Sequence, residues 1–379
     1  YVVVADVANA DALAHWVSST GVSSDVSLTG DGRDHGRDTP VSAGTVAGGI
    51  ASVAVTLGHG AQAEGEETGE GAGAHSPHGD ARDNLTLDFG FTPTYSIGNW
   101  VFRDNENNGI SCMKTNCTCG VSNVVMRLFA ADGNGAPTGA VVSTVTTCAK
   151  GYYRFDGILP GTYVVVLDKA NAPELANYRS STGVTGQTGL GADLRDNGLD
   201  TPLGEDSVVP GGIVSRPVTV GYGLQPEREV EGSVPLSSYG PLGDAYDDLT
   251  VDFAFYPLYS LGNRVFFDNG AGGGTANDGI QNGGEDGIGG VALKLFAADS
   301  GGNPTGDVVV ATTTDADGWY RFDGLEAGRY VAVVDVANSP GLIGKVNSAG
   351  VSTDTTLAGD GRDHGYDTPV SVGTVVNGI

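Results

Sequence analysis

Basic residues are scarce in this sequence. Its 379 residues include 19 Lys and Arg against 46 Asp and Glu, which gives a formal net charge of −27. Nucleic acid and anionic membranes both bind basic surfaces, so this balance argues against either one as a partner. Two interpretations of the acidity stay open. It favours solubility in salty surroundings, or it serves to bind divalent cations, which take many oxygen ligands.

Long apolar runs and helical periodicity are also missing. The longest runs, such as residues 163–167, are strand-sized and too short to cross a bilayer. Neither a signal peptide nor an initiator Met is present, which predicts a mature product or a fragment. The chain instead has 62 glycines and short alternating runs of Val, Thr and Tyr. Alternation with Val291, Leu293 and Leu295 on one face and Lys294 on the other predicts an all-β fold.

Internal repeats divide the chain. Residues 1–50 align without a gap on residues 330–379, and NLTLDFGFTPTYSIGN from Asn84 matches DLTVDFAFYPLYSLGN from Asp248. Three modules follow: 1–93 (a β-sandwich repeat without its opening strands), 94–257 (a complete repeat) and 258–379 (a repeat without its final strands). We expect tandem antiparallel β-sandwiches of the immunoglobulin-like or transthyretin-like kind. Proline in both joints, at Pro93 and Pro257, predicts stiff connections and therefore a rod.

An oxygen-rich loop opens the third module. With residues 270–276 set aside as an insertion, its spacing is similar to an EF-hand-type calcium loop that has Gly279 at the turn. The predicted ligands are Asp268, Asp278, the Ile280 carbonyl, Asn282 and Glu285. The alternative is an ordinary polar loop built from Asn-Gly and Asp-Gly turns. Asp315 and Asp317, in a later acidic turn, are the weakest of the metal candidates.

A second acidic motif recurs in all three modules as GDGRDHGRDTP, ADLRDNGLDTP and GDGRDHGYDTP. Its carboxylates keep one spacing and are Asp31, Asp34, Asp38, Asp193, Asp196, Asp200, Asp360, Asp363 and Asp367. Two interpretations stay open: an Arg-pinned loop in which Asp caps the turns, or a second calcium site. His35 and His364 lie beside Asp, but the middle module has Asn197 there. A shared catalytic role is therefore not expected, and we predict no enzyme activity.

Two further acidic stretches, residues 58–83 and 224–247, interrupt the modules, and the second carries Glu227, Glu229 and Glu231. They are either solvated excursions or contact surfaces between neighbouring molecules.

All four cysteines lie in the middle module, and they are Cys112, Cys117, Cys119 and Cys148. Cys112 stands where Asn282 stands in the third module, and Cys148 stands where Asp315 stands. Disulfides therefore replace the metal in this prediction, which requires an oxidising, extracytoplasmic setting. A Cys117–Cys119 pair is tight, so we expect one of these two to reach Cys148. Zinc is the alternative, although the usual CxxC spacing is absent.

The order of YSLGN, NDGIQN, GIGGV, TTTDADGWYRF, GRYV and NLTLDFGF resembles the B-repeats of serine-aspartate repeat surface proteins (the SdrD B-like family), which are related to collagen-adhesin B-type domains. The resemblance implies calcium-stiffened β-sandwiches strung in tandem as stalks on bacterial cell surfaces. It assigns calcium to Asp268, Asp278, the Ile280 carbonyl, Asn282 and Glu285.

The sequence as a whole predicts a non-enzymatic structural repeat protein. It would form a rigid, calcium- and disulfide-stabilised bacterial cell-surface stalk or extracellular filament. Its partners would be further copies of the same repeat, in the continuing chain or in neighbouring subunits, with no nucleic acid and no membrane insertion of this segment. The alternative is an adhesin segment that binds a host protein or a carbohydrate.

Overall fold

The structure is a computed structural model that describes residues 1–27, 32–62, 79–111, 119–182, 194–229, 239–366 and 368–379. In these residues the regular elements are β-strands and short 3-10 turns. None of their helices is long and apolar enough to span a membrane. The chain forms two compact units, which we call the N-terminal unit (Tyr1–Ala176 and Ser180–Tyr256) and the C-terminal unit (Asn177–Arg179 and Pro257–Ile379).

The first strands of the N-terminal unit are β1 (Val4–Ala5), β2 (Trp16–Ser18), β3 (Val41–Ala43), β4 (Val46–Ala51) and β5 (Phe91–Pro93). Strand β4 pairs antiparallel with β1 and β3, and β2 pairs antiparallel with β5. The 3-10 turn Val7–Asn9 follows β1. In this turn the Asn9 side-chain amide donates to the Asp6 carboxylate over 2.8 Å.

Residues 94–257 contain β6 (Tyr95–Arg103), β7 (Val125–Ala131), β8 (Pro137–Thr146), β9 (Tyr152–Ile158), β10 (Gly161–Leu167), β11 (Tyr178–Ser180), β12 (Ile213–Val214), β13 (Val218–Val220), β14 (Asp247–Asp248) and β15 (Phe253–Pro257). Strand β7 lies between β8 and β10, and β10 also pairs with β12 and β13, all antiparallel. The opposite sheet is built on β6, which pairs antiparallel with β9.

One pairing departs from the predicted antiparallel pattern. Strands β14 and β15 both pair parallel with β6, and Phe253 lies opposite Val101. Parallel neighbours need a long crossover between them, and the chain from β6 to β14 supplies it. Because partners flank it, Tyr95–Phe102 of β6 are all buried. The Tyr153 hydroxyl on β9 donates to the Val251 carbonyl over 2.6 Å within this core.

The C-terminal unit contains β16 (Tyr259–Arg264), β17 (Ala292–Ala298), β18 (Pro304–Thr313), β19 (Trp319–Leu325), β20 (Tyr330–Val334), β21 (Val370–Val372) and β22 (Val375–Gly378). Strand β17 lies between β18 and β20, while β16 pairs with β19, in each case antiparallel. The core lies between these two sheets, where Leu293 and Leu295 of β17 pack with Phe322 and Leu325 of β19.

The predicted alternation along β17 is confirmed. Val291, Leu293 and Leu295 are at most 2% exposed. Lys294 faces away from that core, and its ammonium group pairs with the Asp335 carboxylate over 2.8 Å. The all-β sandwich prediction is therefore confirmed, whereas the rod and the three-module boundaries stay predictions.

Candidate functional site

The oxygen-rich loop of the C-terminal unit is organised around Asp268. Its Oδ1 accepts the Asn277 N–H over 2.6 Å, and its Oδ2 accepts the Gly279 N–H over 2.7 Å and the Ser348 hydroxyl. Burial disfavours the charge, but the hydrogen bonds from Ser348, Gly279 and Asn277 outweigh it and lower the pKa of Asp268. The carboxylate is thus held ionised and oriented. Gly279 has φ +71°, as the predicted turn position requires.

Glu285 closes the loop from the other side and is 5% exposed. Its Oε1 accepts the N–H groups of Asn269 and Gly270 over 2.8 and 2.7 Å, and its Oε2 accepts the Asn282 N–H over 3.0 Å. The insertion therefore folds back onto the late Glu, because its first residues are the donors. Asp278 is half-buried, and its Oδ1 accepts the Ile280 N–H over 2.9 Å.

This loop holds the predicted ligands in one place and in a defined orientation. Each carboxylate oxygen has two lone pairs, so an oxygen that accepts one backbone N–H retains capacity for a cation. Asp268, Asp278 and Glu285 nevertheless do not form a group of three carboxylates with ligand atoms within 4.8 Å of one another. Any cation held here would rely on the Ile280 carbonyl and the Asn282 side chain as well.

The second acidic motif lies directly against this loop, which its distance in sequence did not predict. Ile280 and Arg362 form an antiparallel bridge, and the Gly279 carbonyl accepts the Asp363 N–H over 2.7 Å. The middle module repeats the arrangement, where the Gly109 carbonyl accepts the Asp196 N–H over 2.9 Å. The two motifs, predicted as separate sites, therefore form one neighbourhood in each of these modules.

Within the motif, the central Asp caps its own turn in every module. Oδ1 of Asp34, Asp196 and Asp363 accepts the N–H two residues later over 2.8, 2.9 and 2.8 Å. This geometry favours the turn-capping interpretation over a second calcium site. Asp38, Asp200 and Asp360 are exposed. Asp31, Asp193 and Asp367 lie outside the described residues.

The histidines of the motif have structural partners. His35 is fully buried, its Nε2 contacts the Asp25 carbonyl over 2.8 Å, and its Nδ1 accepts the Asp88 N–H over 3.3 Å. In the middle module the Asn197 side-chain oxygen accepts the equivalent N–H, that of Asp252, over 2.9 Å. Imidazole and amide therefore fill one hydrogen-bonding role, which explains why they interchange.

The acidic turn with Asp315 and Asp317 also has a local explanation. Asp315 Oδ1 accepts the N–H groups of Asp317 and Trp319 over 3.0 and 2.9 Å. Both Asp side chains are exposed. The pair thus shapes the hairpin between β18 and β19, and no further ligand group converges on it in the described residues.

The middle module keeps the frame of the loop without its late ligands. Asp104 Oδ2 accepts the Gly109 N–H over 2.7 Å and the Ser181 hydroxyl over 2.6 Å, as Asp268 does with Gly279 and Ser348. The two modules therefore share the start of the loop, whatever follows it.

The predicted cysteine pairing is wrong at Cys148, which is a free thiol. Its side chain packs against the aromatic cluster of Trp100, Phe102 and Tyr152, so it serves as a small apolar group. Cys119 is buried and is not a free thiol. Cys112 and Cys117 lie outside the described residues.

Sequence reasoning missed a cluster that we call the acidic triad: Glu229, Asp244 and Asp247. One ligand atom from each lies within 4.8 Å of those of the other two. Glu229 is 4% exposed and Asp247 is 0% exposed. The signal that could have found it is a repeated Gly-Asp-Ala-x-Asp, at residues 79–83 and 243–247. Glu229 comes from the acidic stretch that was considered a solvated excursion.

Repeated sandwiches with capped, carboxylate-rich loops define a class of tandem immunoglobulin-like β-modules. The SdrD B-like domain model matches residues 95–195 and 259–374, so this chain belongs to that family, as the motifs predicted.

Curated relatives include serine-aspartate repeat-containing protein D of Staphylococcus aureus, 30% identical over 293 residues that cover 76% of this chain and 17% of the relative. Serine-aspartate repeat-containing protein F of Staphylococcus epidermidis is 29% identical over 252 residues, which cover 66% of this chain and 11% of the relative. The chain thus spans less than a fifth of either relative.

Among solved structures, the Streptococcal ancillary pilin matches with 13% identity and a TM-score of 0.26, over 69% of this chain and 58% of the pilin. The major pilin SpaD of Corynebacterium diphtheriae matches with 11% identity and a TM-score of 0.25, over 65% of this chain and 63% of SpaD.

Proposed function

We propose that this chain is a non-enzymatic segment of a rigid stalk or filament on a bacterial surface, stiffened by calcium in the Asp268 loop. The observation that carries the proposal is the loop itself. Ionised Asp268 and buried Glu285 are both oriented by backbone N–H groups, next to a carbonyl and an amide that add neutral oxygens. Calcium binding ties the start of the loop to its end, which opposes local unfolding of the module.

Family membership supports the same function, because serine-aspartate repeat-containing proteins have these modules in tandem by the resemblance given above. The interchange of His35 and Asn197 supports a structural rather than a catalytic role for the acidic motif. Buried Cys119, which is not a free thiol, supports a disulfide contribution in the middle module.

Removal of calcium tests the loop. A cation at 100 times its Kd stabilises the folded state by about 2.7 kcal/mol, so a chelator should lower the unfolding midpoint of the C-terminal unit by several degrees. The double variant Asp268→Asn, Glu285→Gln should show no chelator effect. Asp307→Asn, which changes an exposed carboxylate of the same unit, should behave as the wild type. An equal response of all three proteins to chelator would contradict the proposal.

Strand β16 supports the choice of partner. In the middle module β6 is covered by β14 and β15, but in the C-terminal unit the described residues pair β16 with β19 alone. Leu261 and Tyr259 are 36% and 48% exposed, and Trp319 is 50% exposed beside them. This face fits a strand like residues 247–257, which a further copy of the repeat would supply.

A synthetic peptide of residues 247–257 should therefore bind the chain and quench or shift Trp319 fluorescence, while a peptide with Phe253 and Phe255 changed to Ser should not. The adhesin alternative uses the same open face. It would be favoured if the Ser-containing peptide bound equally well, because the face would then lack selectivity for the repeat's own strand.

A further inference from the structure

We infer that the acidic triad is a second divalent-cation site, located in the N-terminal unit and specific for calcium. It does not use the Asp268 loop, which lies in the C-terminal unit, so either site can exist without the other. The first observation is convergence: Glu229, Asp244 and Asp247 each place a ligand atom within 4.8 Å of the others.

The second observation is the lack of partners for two buried oxygens. Glu229 and Asp247 are 4% and 0% exposed, yet Glu229 Oε2 and Asp247 Oδ1 accept no hydrogen bond. A buried carboxylate oxygen without a partner carries a large desolvation cost, and native proteins rarely leave one. Two of them in one cluster therefore indicate a missing positive group.

The remaining oxygens are held in place. Glu229 Oε1 accepts the Leu249 N–H over 3.4 Å, Asp247 Oδ2 accepts the Gly240 N–H, and both Asp244 oxygens accept the Arg228 N–H over 3.1 and 3.2 Å. The triad is thus oriented by the backbone on one side and open on the other. Such preorganisation is typical of an oxygen cage.

No side-chain cation of the described residues neutralises the triad. The nearest is Arg154, whose guanidinium group is engaged by Asp156 over 2.7 Å and by the Tyr239 carbonyl over 3.1 Å. Asp248 adds further negative charge beside the triad. Burial, together with the neighbouring carboxylates, raises the pKa of Glu229 to about 8 and that of Asp247 to about 7. Without a metal, protons therefore fill the role.

The spacing selects the cation. Ca²⁺ binds oxygens at about 2.3–2.6 Å, so two ligands on opposite sides of it lie up to about 5 Å apart, whereas the limit for Mg²⁺ is about 4.2 Å. Separations up to 4.8 Å suit the larger ion. Half-buried Asp244 provides the route of entry, and water completes the coordination shell.

Calcium counting with the full chain tests this site. Isothermal titration with CaCl₂ should give one Ca²⁺ fewer per chain for the double variant Glu229→Gln, Asp247→Asn than for the wild type. Both substitutions keep the oxygens that accept the backbone N–H groups, so the fold should persist. In chelator the variant should also unfold at a higher temperature than the wild type, because the buried charge is gone. Exposed Glu205→Gln is the control.

Terbium luminescence locates the site. Tyr246 lies between the two Asp residues and its ring centroid is 5.9 Å from that of Tyr95, so excitation of tyrosine should sensitise bound Tb³⁺. The signal should vanish in the triad variant and persist in Asp268→Asn, Glu285→Gln. An unchanged calcium count in the triad variant would overturn this inference and leave the loop proposal intact. A lower count in the triad variant alone would support this site and contradict the loop.

Discussion

The buried ion pair between Lys294 and Asp335 should be a main clamp of the C-terminal sandwich. The ammonium and carboxylate are 2.8 Å apart, and their side chains are 20% and 1% exposed. Lys294 lies on β17, whereas Asp335 directly follows β20, so the pair fastens two neighbouring strands. The Asn338 side-chain amide donates to the same carboxylate over 2.8 Å.

Lys294→Met should destabilise the unit by about 3 kcal/mol, because it leaves Asp335 as a buried charge with Asn338 as its remaining side-chain donor. The value is at the low end for a buried pair, since Lys294 is partly solvated. At about 4 °C per kcal/mol for a unit of this size, the unfolding midpoint should fall by about 12 °C. The double variant Lys294→Met, Asp335→Asn should recover most of this loss, because the uncompensated charge is removed.

Differential scanning calorimetry measures the midpoint, and amide hydrogen exchange along β17 assigns the change to this unit. The matched control is Arg321→Met. Arg321 and Asp323 are as close, at 2.7 Å, but their side chains are 70% and 56% exposed, so the expected loss is below about 1 kcal/mol. Equal, small effects of the two single variants would refute the reasoning that burial decides the value of the pair.

The same pair sets an acid limit. Burial opposes ionisation, but hydrogen bonds from Lys294 and Asn338 lower the pKa of Asp335 below its ordinary value. The stabilisation is therefore present above about pH 4 and lost as the pH falls through the folded-state pKa. The difference in midpoint between the wild type and Lys294→Met should shrink over that range. A difference that is constant from pH 7 to pH 2 would contradict this account.

Three further predictions concern the other sites. His35→Asn should cost less than about 1 kcal/mol in urea unfolding, because Asn197 makes the equivalent bond, whereas His35→Leu should cost about 2 kcal/mol more; equal losses would contradict this. Gly279→Ala should destabilise more than Gly302→Ala, which shares positive φ, because a Cβ at Gly279 would lie 2.2 Å from the Gly350 carbonyl oxygen; equal melting shifts would exclude that clash. In chelator, the N-terminal unit should lose several kcal/mol between about pH 4 and pH 8, because the raised pKa values of the acidic triad mean that the folded state binds more protons there; melting scans with calcium should show a smaller loss.

Short-range patterns made the fold class and the local turns predictable. Alternation along β17 fixed which side chains enter the core, because side chains of a strand point to opposite faces in turn. Gly279 was identified as the turn residue, and the central Asp of the acidic motif as a turn cap, since both roles depend on neighbours within two residues. Repeats in the text revealed the tandem modules without any structure.

Long-range convergence needed the tertiary structure. Glu229 and Asp247 are brought together by the path of the chain between them, and the sequence does not encode the distance between their oxygens. The parallel pairing of β15 with β6 and the contact of Asp363 with the calcium loop depend on strand direction and register in the same way. Burial then decides the chemistry: an acidic residue is a solvated charge at the surface, whereas in the interior it requires a proton, a base or a metal ion.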